Sequence, residues 1–402
     1  MPSRDAAGPS TRSVHAGRDR DFESGHVATP IHLSSTYFSR TTQEVVDYLE
    51  GRRSVNFYAR YSNPTVEAAE QKIAALEGAE KALCFGSGMA AISTLLLSQL
   101  SHGDHVVATR EIYGGTFELL DKLLPRWGVS VTFVKPTDLK ELEAAVIPTT
   151  RLIYAETPTN PRLTVVDLKG VAEIARRHKL LCAVDNTFAS PINQRPIGYG
   201  FDFVVHSATK YLGGHCDLVG GVVVGSRDRM AEVWRHRKLL GGILDPHAAY
   251  LLERGTKTLA LRVARQNENG LRIAQHLAEH PRVRRVYYPG LPGHPGHEIA
   301  KRQMSGFGGV LAFEVDGTKE DAVRFVEALE LMYLAPSLGG VETLVTQPSM
   351  TSHYFMTPEE REAQGISDSL VRVALGIEDA ADLIRDLERA FETLPSEAPK
   401  HS

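Results

Sequence analysis

The sequence predicts an α/β chain in which a large domain on a parallel sheet precedes a smaller α+β domain. Three observations carry that expectation. Short apolar strands alternate with longer helical patterns from about residue 63 to residue 224, the rhythm of a sheet covered by helices on both faces. After Leu251 the texture changes to one long helical pattern followed by mixed strands and helices. The 402 residues also exceed a single typical hydrophobic core. The expected divisions are an N-terminal arm over 1–60, the sheet domain over 61–255 and the C-terminal domain over 256–402.

Residues 1–60 carry scattered apolar residues without sustained periodicity, which predicts an extended arm with one short helix near Thr42–Glu50, suited to reaching another subunit. A helix starts at Asn63-Pro64-Thr65, places Val66, Ala69, Ile73 and Leu76 on one face, and stops at Gly78. Strands are expected at Ala82–Phe85, His105–Thr109, Ser130–Val134, Leu152–Ala155, Leu181–Val184, Phe203–His206 and Val219–Val224. Helices between them fall near Met89–Leu100, Thr116–Leu124, Leu139–Val146 and Leu168–His178. Further on, the pattern gives a helix over Leu261–His280, strands Val283–Tyr288, Gly309–Val315 and Leu370–Ala374, and helices Lys319–Leu329 and Ala380–Leu394. Ser396 to Ser402 read as a loose polar tail.

A net charge of -4, with 45 basic and 49 acidic residues, gives no electrostatic reason to expect nucleic acid or a membrane surface as partner. The expected partner is a small molecule. Cys84, Cys182 and Cys216 are widely spaced, and the first two lie in apolar runs, as core thiols do. Met1 to Gly17 has no apolar signal core, and no stretch approaches the roughly 18 apolar residues of a membrane span. The reading is cytoplasmic.

The chemistry concentrates at the carboxyl ends of the expected strands, where open α/β sheets bind ligands. Phe203-Val204-Val205-His206-Ser207-Ala208-Thr209-Lys210 sets a lysine beside two hydroxyls. A lysine amine can form a Schiff base with pyridoxal phosphate (PLP) while the hydroxyls bond its phosphate; the bland reading is a surface lysine after a strand. Asp185, closing another apolar run, can hold a pyridine nitrogen protonated. Phe85-Gly86-Ser87-Gly88-Met89 lies between a strand and a helix, either an ordinary turn or an anion site at a helix N-terminus. Tyr113 can lay its ring on a cofactor or simply pack, and Tyr58 and Arg60 offer a phenol and a guanidinium near a helix start. Arg372 is a charge inside an apolar strand, costly unless paired, and fits an amino-acid carboxylate. Asn160 adds a donor in Thr157-Pro158-Thr159-Asn160-Pro161, a segment that also reads as a plain turn. Gly293-His294-Pro295-Gly296-His297 reads as an exposed loop, and no metal is assigned.

Tyr58–Thr65, Ser87-Gly88-Met89, Tyr113-Gly114-Gly115, Thr157–Pro161, Asp185-Asn186-Thr187, Ser207–Gly214, Ser337-Leu338-Gly339-Gly340 and Arg372, in this order, resemble the Cys/Met-metabolism (transsulfuration) family of fold-type-I PLP enzymes. The resemblance runs from about His15 to Leu394. It implies an aspartate-aminotransferase-like fold and a homotetramer of two tight dimers with shared active sites. Lys210 would be the Schiff-base lysine and proton shuttle, Asp185 the partner of the pyridine nitrogen, and Tyr113 the ring that stacks on the cofactor and helps pass protons. Gly88, Met89, Thr187, Ser207 and Thr209 would complete the cofactor site, with Tyr58 and Arg60 reaching in from a neighbour. Asn160, Ser337 and Arg372 would orient the substrate.

The family's chemistry implies replacement or elimination at Cγ. Methionine γ-lyases often carry cysteine where this chain has Gly115. Many cystathionine γ-lyases and bacterial synthases have glutamate where Pro336 stands. Ala335–Glu342 and the run from Gln266 to Gly309 look more like plant-type cystathionine γ-synthases. The expected reaction is therefore γ-replacement on an activated homoserine ester by cysteine. A γ-lyase acting on cystathionine, methionine or homocysteine is the alternative, and a non-catalytic PLP-fold regulator the second.

Overall fold

The computed structural model describes residues 7–17, 25–52, 56–351 and 365–395, with 354, 357, 359 and 361 between the last two. The tail expected over Ser396 to Ser402 lies outside the described residues. Seven strands form the first sheet: β1 (Lys81–Phe85), β2 (His105–Thr109), β3 (Ser130–Val134), β4 (Thr150–Glu156), β5 (Leu181–Asp185), β6 (Phe203–Ser207) and β7 (Gly221–Gly225), in the order β1-β7-β6-β5-β4-β2-β3. β2 to β6 pair in parallel, as expected, but β7 runs antiparallel to both β6 and β1. The sheet is therefore mixed. The reason is local: the connection from β6 to β7 contains turns but no crossover helix, so the chain can only return antiparallel. β7 also begins two residues later than expected, and Val219 is left exposed.

Side chains alternate across this sheet into two cores. Val184, Val204 and Val222 face the helix Pro64–Glu77 with Ile73 and Leu76. Ala183, Phe203 and Val223 face the helix Gly88–Gln99 with Ile92, Leu95 and Leu96. Helix ends follow their sequence signals: Asn63 accepts the Thr65 and Val66 amides at one end of Pro64–Glu77, and Gly78 takes the left-handed conformation at the other. The helix expected over Thr116–Leu124 starts at Gly114 and changes winding at Leu119, just ahead of Pro125.

The second sheet has β8 (Val283–Tyr287), β9 (Val310–Val315), β10 (Tyr333–Leu334), β11 (Leu344–Thr346) and β12 (Leu370–Ala374), ordered β10-β11-β12-β9-β8. It packs Phe313 against Phe325, Leu383, Leu387 and Phe391. The helix Leu259–Glu279 joins the two bodies: Leu259 and Val263 sit in the first core, Ile273 and Leu277 in that of the second sheet.

Two expectations need correction. The first part of the N-terminal segment does not extend away but forms a helix, Pro9–His15, against its own chain, because buried Lys72 donates to the carbonyls of Ser13 (3.2 Å) and Val14 (3.0 Å). Further along, Val27, Leu33 and Phe38 are exposed. His294 is not in an exposed loop: it is buried, accepts the Gly296 amide at 3.0 Å, and burial pulls its pKa down to about 4. His297 donates to the Pro289 carbonyl at 2.8 Å. Among the described residues no group of His, Cys, Asp and Glu is placed to hold a metal ion. Cys84 and Cys182 are core residues as expected.

Candidate active site

The carboxyl ends of β2, β4, β5 and β6 converge on one edge of the first sheet. Asp185 closes β5, buried, with Oδ1 accepting the Thr187 amide at 3.0 Å. Burial pushes its carboxyl pKa up, and the bonds from Thr187 and the charge of His206 pull it back. Thr187 Oγ1 accepts the Ser207 amide at 2.8 Å, so this hydroxyl ties the ends of β5 and β6 together. Beneath them His206 Nε2 and Glu77 Oε1 lie 2.5 Å apart, fully buried.

Lys210 follows β6 in a tight turn and donates from Nζ to Ser337 Oγ at 2.6 Å. Burial, and then the charge of Arg372, lower its pKa, which raises the share of nucleophilic amine near neutrality. Arg372, on β12 and 7% exposed, donates from Nη1 to Asn160 Oδ1 (2.9 Å) and from Nη2 to the Ser337 carbonyl (3.0 Å). Its Nε has no hydrogen-bond partner, and burial pulls its pKa down to about 10. The guanidinium remains a cation at neutral pH, with no carboxylate in reach among the described residues.

On the other side, Ser87 caps the helix Gly88–Gln99 by accepting the Ala90 amide at 3.0 Å. The amides of Gly88 and Met89 have no acceptor inside that helix. A Cβ on Gly88 would come within 3.1 Å of Ser207 Cβ, and one on Gly221 within 2.1 Å of the Ser87 carbonyl oxygen. Only glycines let these segments close into a cradle with free donors at a helix N-terminus, which suits a phosphate. Thr209 Oγ1 accepts the Gly220 amide (3.0 Å) and donates to the Gly220 carbonyl (3.2 Å), holding the β6–β7 connection.

Tyr113 is 52% exposed, and its amide donates to Glu156 Oε2 at 2.7 Å. A Cβ on Gly115 would lie 2.8 Å from the Tyr113 ring and 3.2 Å from Met89 Sδ, so any side chain at 115 displaces the ring. Tyr58 and Arg60 stand apart. Arg60 lies over the rings of Tyr58 (5.4 Å) and Tyr61 (5.1 Å) and donates to the Lys238 carbonyl, with no hydrogen bond to the Lys210 turn.

One chain thus brings together Asn160, Lys210, Ser337 and Arg372, sets Gly88 against Ser207 and Met89 beside Gly115, and gives Tyr58 and Arg60 no hydrogen bond to any of them. The residues fit PLP: an amine with lowered pKa, a buried carboxylate for a ring nitrogen, and an anion cradle closed by glycines. The sequence reading missed Glu156. It ended β4 at Ala155, one residue short of a carboxylate that directly precedes the Thr157–Pro161 segment.

A family model described as "Cys/Met metabolism PLP-dependent enzyme" matches residues 10–392. Cystathionine gamma-synthase 1, chloroplastic, of Arabidopsis thaliana is 46% identical over 95% of this chain and 68% of its own length. An L-methionine gamma-lyase of Pseudomonas deceptionensis is 44% identical over 96% of this chain and 98% of its own. The crystal structure of metB from Corynebacterium glutamicum superposes with a TM-score of 0.91 at 41% identity, covering 97% of this chain and 99% of that one.

Proposed function

The chain belongs to the Cys/Met-metabolism PLP-dependent enzymes, a family of γ-replacement and γ-elimination catalysts, and we propose that it joins cysteine to an activated homoserine ester to give cystathionine. PLP supplies an electron sink that stabilises negative charge on the substrate carbons. The rest falls to the chain's own residues. Arg372 takes the substrate carboxylate, whose charge its buried guanidinium lacks, while Asn160 fixes the plane of the guanidinium. Lys210 Nζ is the amine that would hold the cofactor, and when free it can move the proton at the substrate Cα. Ser337 Oγ steers that amine. Asp185 would hold the ring nitrogen, Gly88, Met89, Ser207 and Thr209 would hold the phosphate, and Tyr113 would pack on the ring.

The observation that carries γ-replacement over elimination is the lip at Ala335-Pro336-Ser337. An imino ring, with no carboxylate, directly precedes the serine bonded to Lys210, the plant-type synthase pattern. Beside it lies a cavity of about 720 Å³ lined by Thr209, Cys216, Tyr333, Pro336, Ser337 and Glu342, which has room for a second amino acid. Supplying O-acetyl-, O-succinyl- or O-phosphohomoserine with and without cysteine, and cystathionine separately, tests the reading. Cystathionine formation faster than 2-oxobutyrate release is expected; efficient cleavage of cystathionine with negligible synthesis would replace it with the γ-lyase reading, which the similarity to a methionine γ-lyase keeps in view.

The same reading includes a homotetramer of two dimers in which Tyr58 and Arg60 serve the neighbour's phosphate, and the division into 1–60, 61–255 and 256–402. Its support is that Arg60 bonds the Lys238 carbonyl and not the chain's own Lys210 turn, and that Val27, Leu33 and Phe38 on the same arm are exposed. No helix among the described residues is long and apolar enough to cross a membrane. The free thiols of Cys84, Cys182 and Cys216 suit a reducing compartment, and the cytoplasm is the proposed location.

A further inference from the structure

Two carboxylates beside the site have no part in the reaction described above. Glu156 ends β4 directly opposite Asp185 of β5 and is 4% exposed. Its Oε2 accepts the Tyr113 amide at 2.7 Å, and the nearby Asn160 backbone acts on the same carboxyl by lowering its pKa. Glu111 lies two residues before Tyr113 and reaches the other way. Its Oε2 accepts the hydroxyls of Thr159 (3.0 Å) and Thr164 (2.7 Å). Thr159 Oγ1 in turn accepts the Thr164 amide at 3.0 Å, closing the loop that carries Asn160. The loop after β2 and the loop after β4 are therefore clasped twice, each by a carboxylate belonging to the other.

We propose that Glu111 and Glu156 are positioning residues that set Tyr113 and Asn160 as one unit, joining the ring that covers the cofactor to the amide that orients Arg372. The connection continues without a break, because Arg372 Nη1 donates to Asn160 Oδ1 at 2.9 Å. Truncating Glu156 leaves the Tyr113 amide without an acceptor and loosens the loop after β2 from the end of β4. Burial, and then the neighbouring Asp185, push the Glu156 carboxyl well above the usual carboxylate range. Glutamine keeps an acceptor oxygen at this place and adds no negative charge beside Asp185, so it is a close substitute.

This inference rests on the roles proposed above for Tyr113 and Asn160. Its test uses L-norleucine, which bears the carboxylate but has no group to lose from Cγ. Affinity is read on the holoenzyme from the change in visible absorption, and PLP retention by equilibrium dialysis, with thermal melting to verify the fold. Glu156→Ala is expected to weaken norleucine roughly tenfold or more, the loss of about one buried hydrogen bond, and to speed PLP loss. Glu156→Gln should stay within about threefold of the parent, and Glu111→Ala should weaken norleucine by roughly three- to tenfold. Should Glu156→Ala not fold, Glu111→Ala, at a half-buried position, carries the test. Unchanged norleucine affinity in the folded variants overturns the proposal, as does Glu156→Gln as impaired as Glu156→Ala. An enzyme that made no cystathionine would still give this result, so the two readings fail separately.

Discussion

Arg372 and Arg237 are both guanidiniums buried in this chain, one on β12 of the second sheet and one on the helix Arg227–Leu240 behind the first. Arg237 meets an anion: Nη1 donates to Glu70 Oε1 at 2.5 Å and to the Cys84 carbonyl at 2.9 Å, and Glu70 also accepts the Cys84 amide at 2.8 Å. Arg372 meets only the neutral oxygens of Asn160 and Ser337. Arg262 completes the comparison. It too lacks an anion, but Nε, Nη1 and Nη2 donate to Thr258, Tyr211 and Gly255, so each of its three nitrogens has an acceptor. A buried cation with its charge matched, or with every nitrogen engaged, serves the scaffold. One with unmatched charge and a spare donor is arranged for a ligand that brings the anion.

Lys210 belongs with Arg372, and Lys72 with Arg237, since Lys72 pairs with buried Glu253 at 3.0 Å. The comparison breaks most sharply at Lys210. Lys210→Ala is expected to abolish the visible absorption of the bound cofactor and to cut turnover by at least the roughly 10²–10⁴-fold of a lost proton-transfer group, with little change in melting temperature. An unchanged spectrum would move the cofactor lysine elsewhere. On the scaffold side, Arg237→Met strands Glu70 behind the first sheet and should destabilise the fold by about 3–5 kcal/mol in urea titrations. Adding Glu70→Gln should recover part of that loss. If Arg237→Met were as stable as the parent, matched charge would not mark a scaffold residue.

Arg372→Lys tests the ligand side with a smaller change. The cation stays, but the fork that spans Asn160 and Ser337 is lost. KM for the amino-acid substrate should rise by roughly ten- to a hundredfold, matching a charge-assisted bond of about 1.5–3 kcal/mol, while melting is nearly unaffected. A fall in stability with an unchanged KM would place Arg372 in the class of Arg262.

The same contrast explains how much could be read from the sequence. A charge inside the apolar run Leu370–Ala374 stands out, so both the strand and Arg372 were legible to the residue. Arg237 did not stand out, because its helix buries few residues, Met230 and Val233 among them, within a highly charged stretch, and the helix itself went unread. β10 and β11 are too short to carry a period. The site motifs were readable because glycines and hydroxyls sit at fixed offsets after strands. Their ties to one another were not, since Glu156 with Tyr113, or Lys210 with Ser337, are joined only by the folded chain. The antiparallel return of β7 left no composition signal at all, only the missing crossover helix.

The smallest expected effect is the most direct reading of unmatched charge. Lys210 has its pKa lowered first by burial and second by the positive charge of Arg372. A lowered lysine pKa means that the free amine, the form able to capture an aldehyde, appears at lower pH than for an ordinary lysine and fades as pH falls further. Replacing Arg372 by Gln removes the second cause and keeps most of the first. The midpoint for PLP capture by the apoenzyme, followed by visible absorbance against pH, should therefore move upward. High salt should shrink the difference only slightly, since the pair is shielded from solvent. Arg237→Met, whose charge was already matched by Glu70, should leave that midpoint where it was. A downward shift in Arg372→Gln, or an equal upward shift in both variants, would show that the guanidinium does not act on the lysine through its charge.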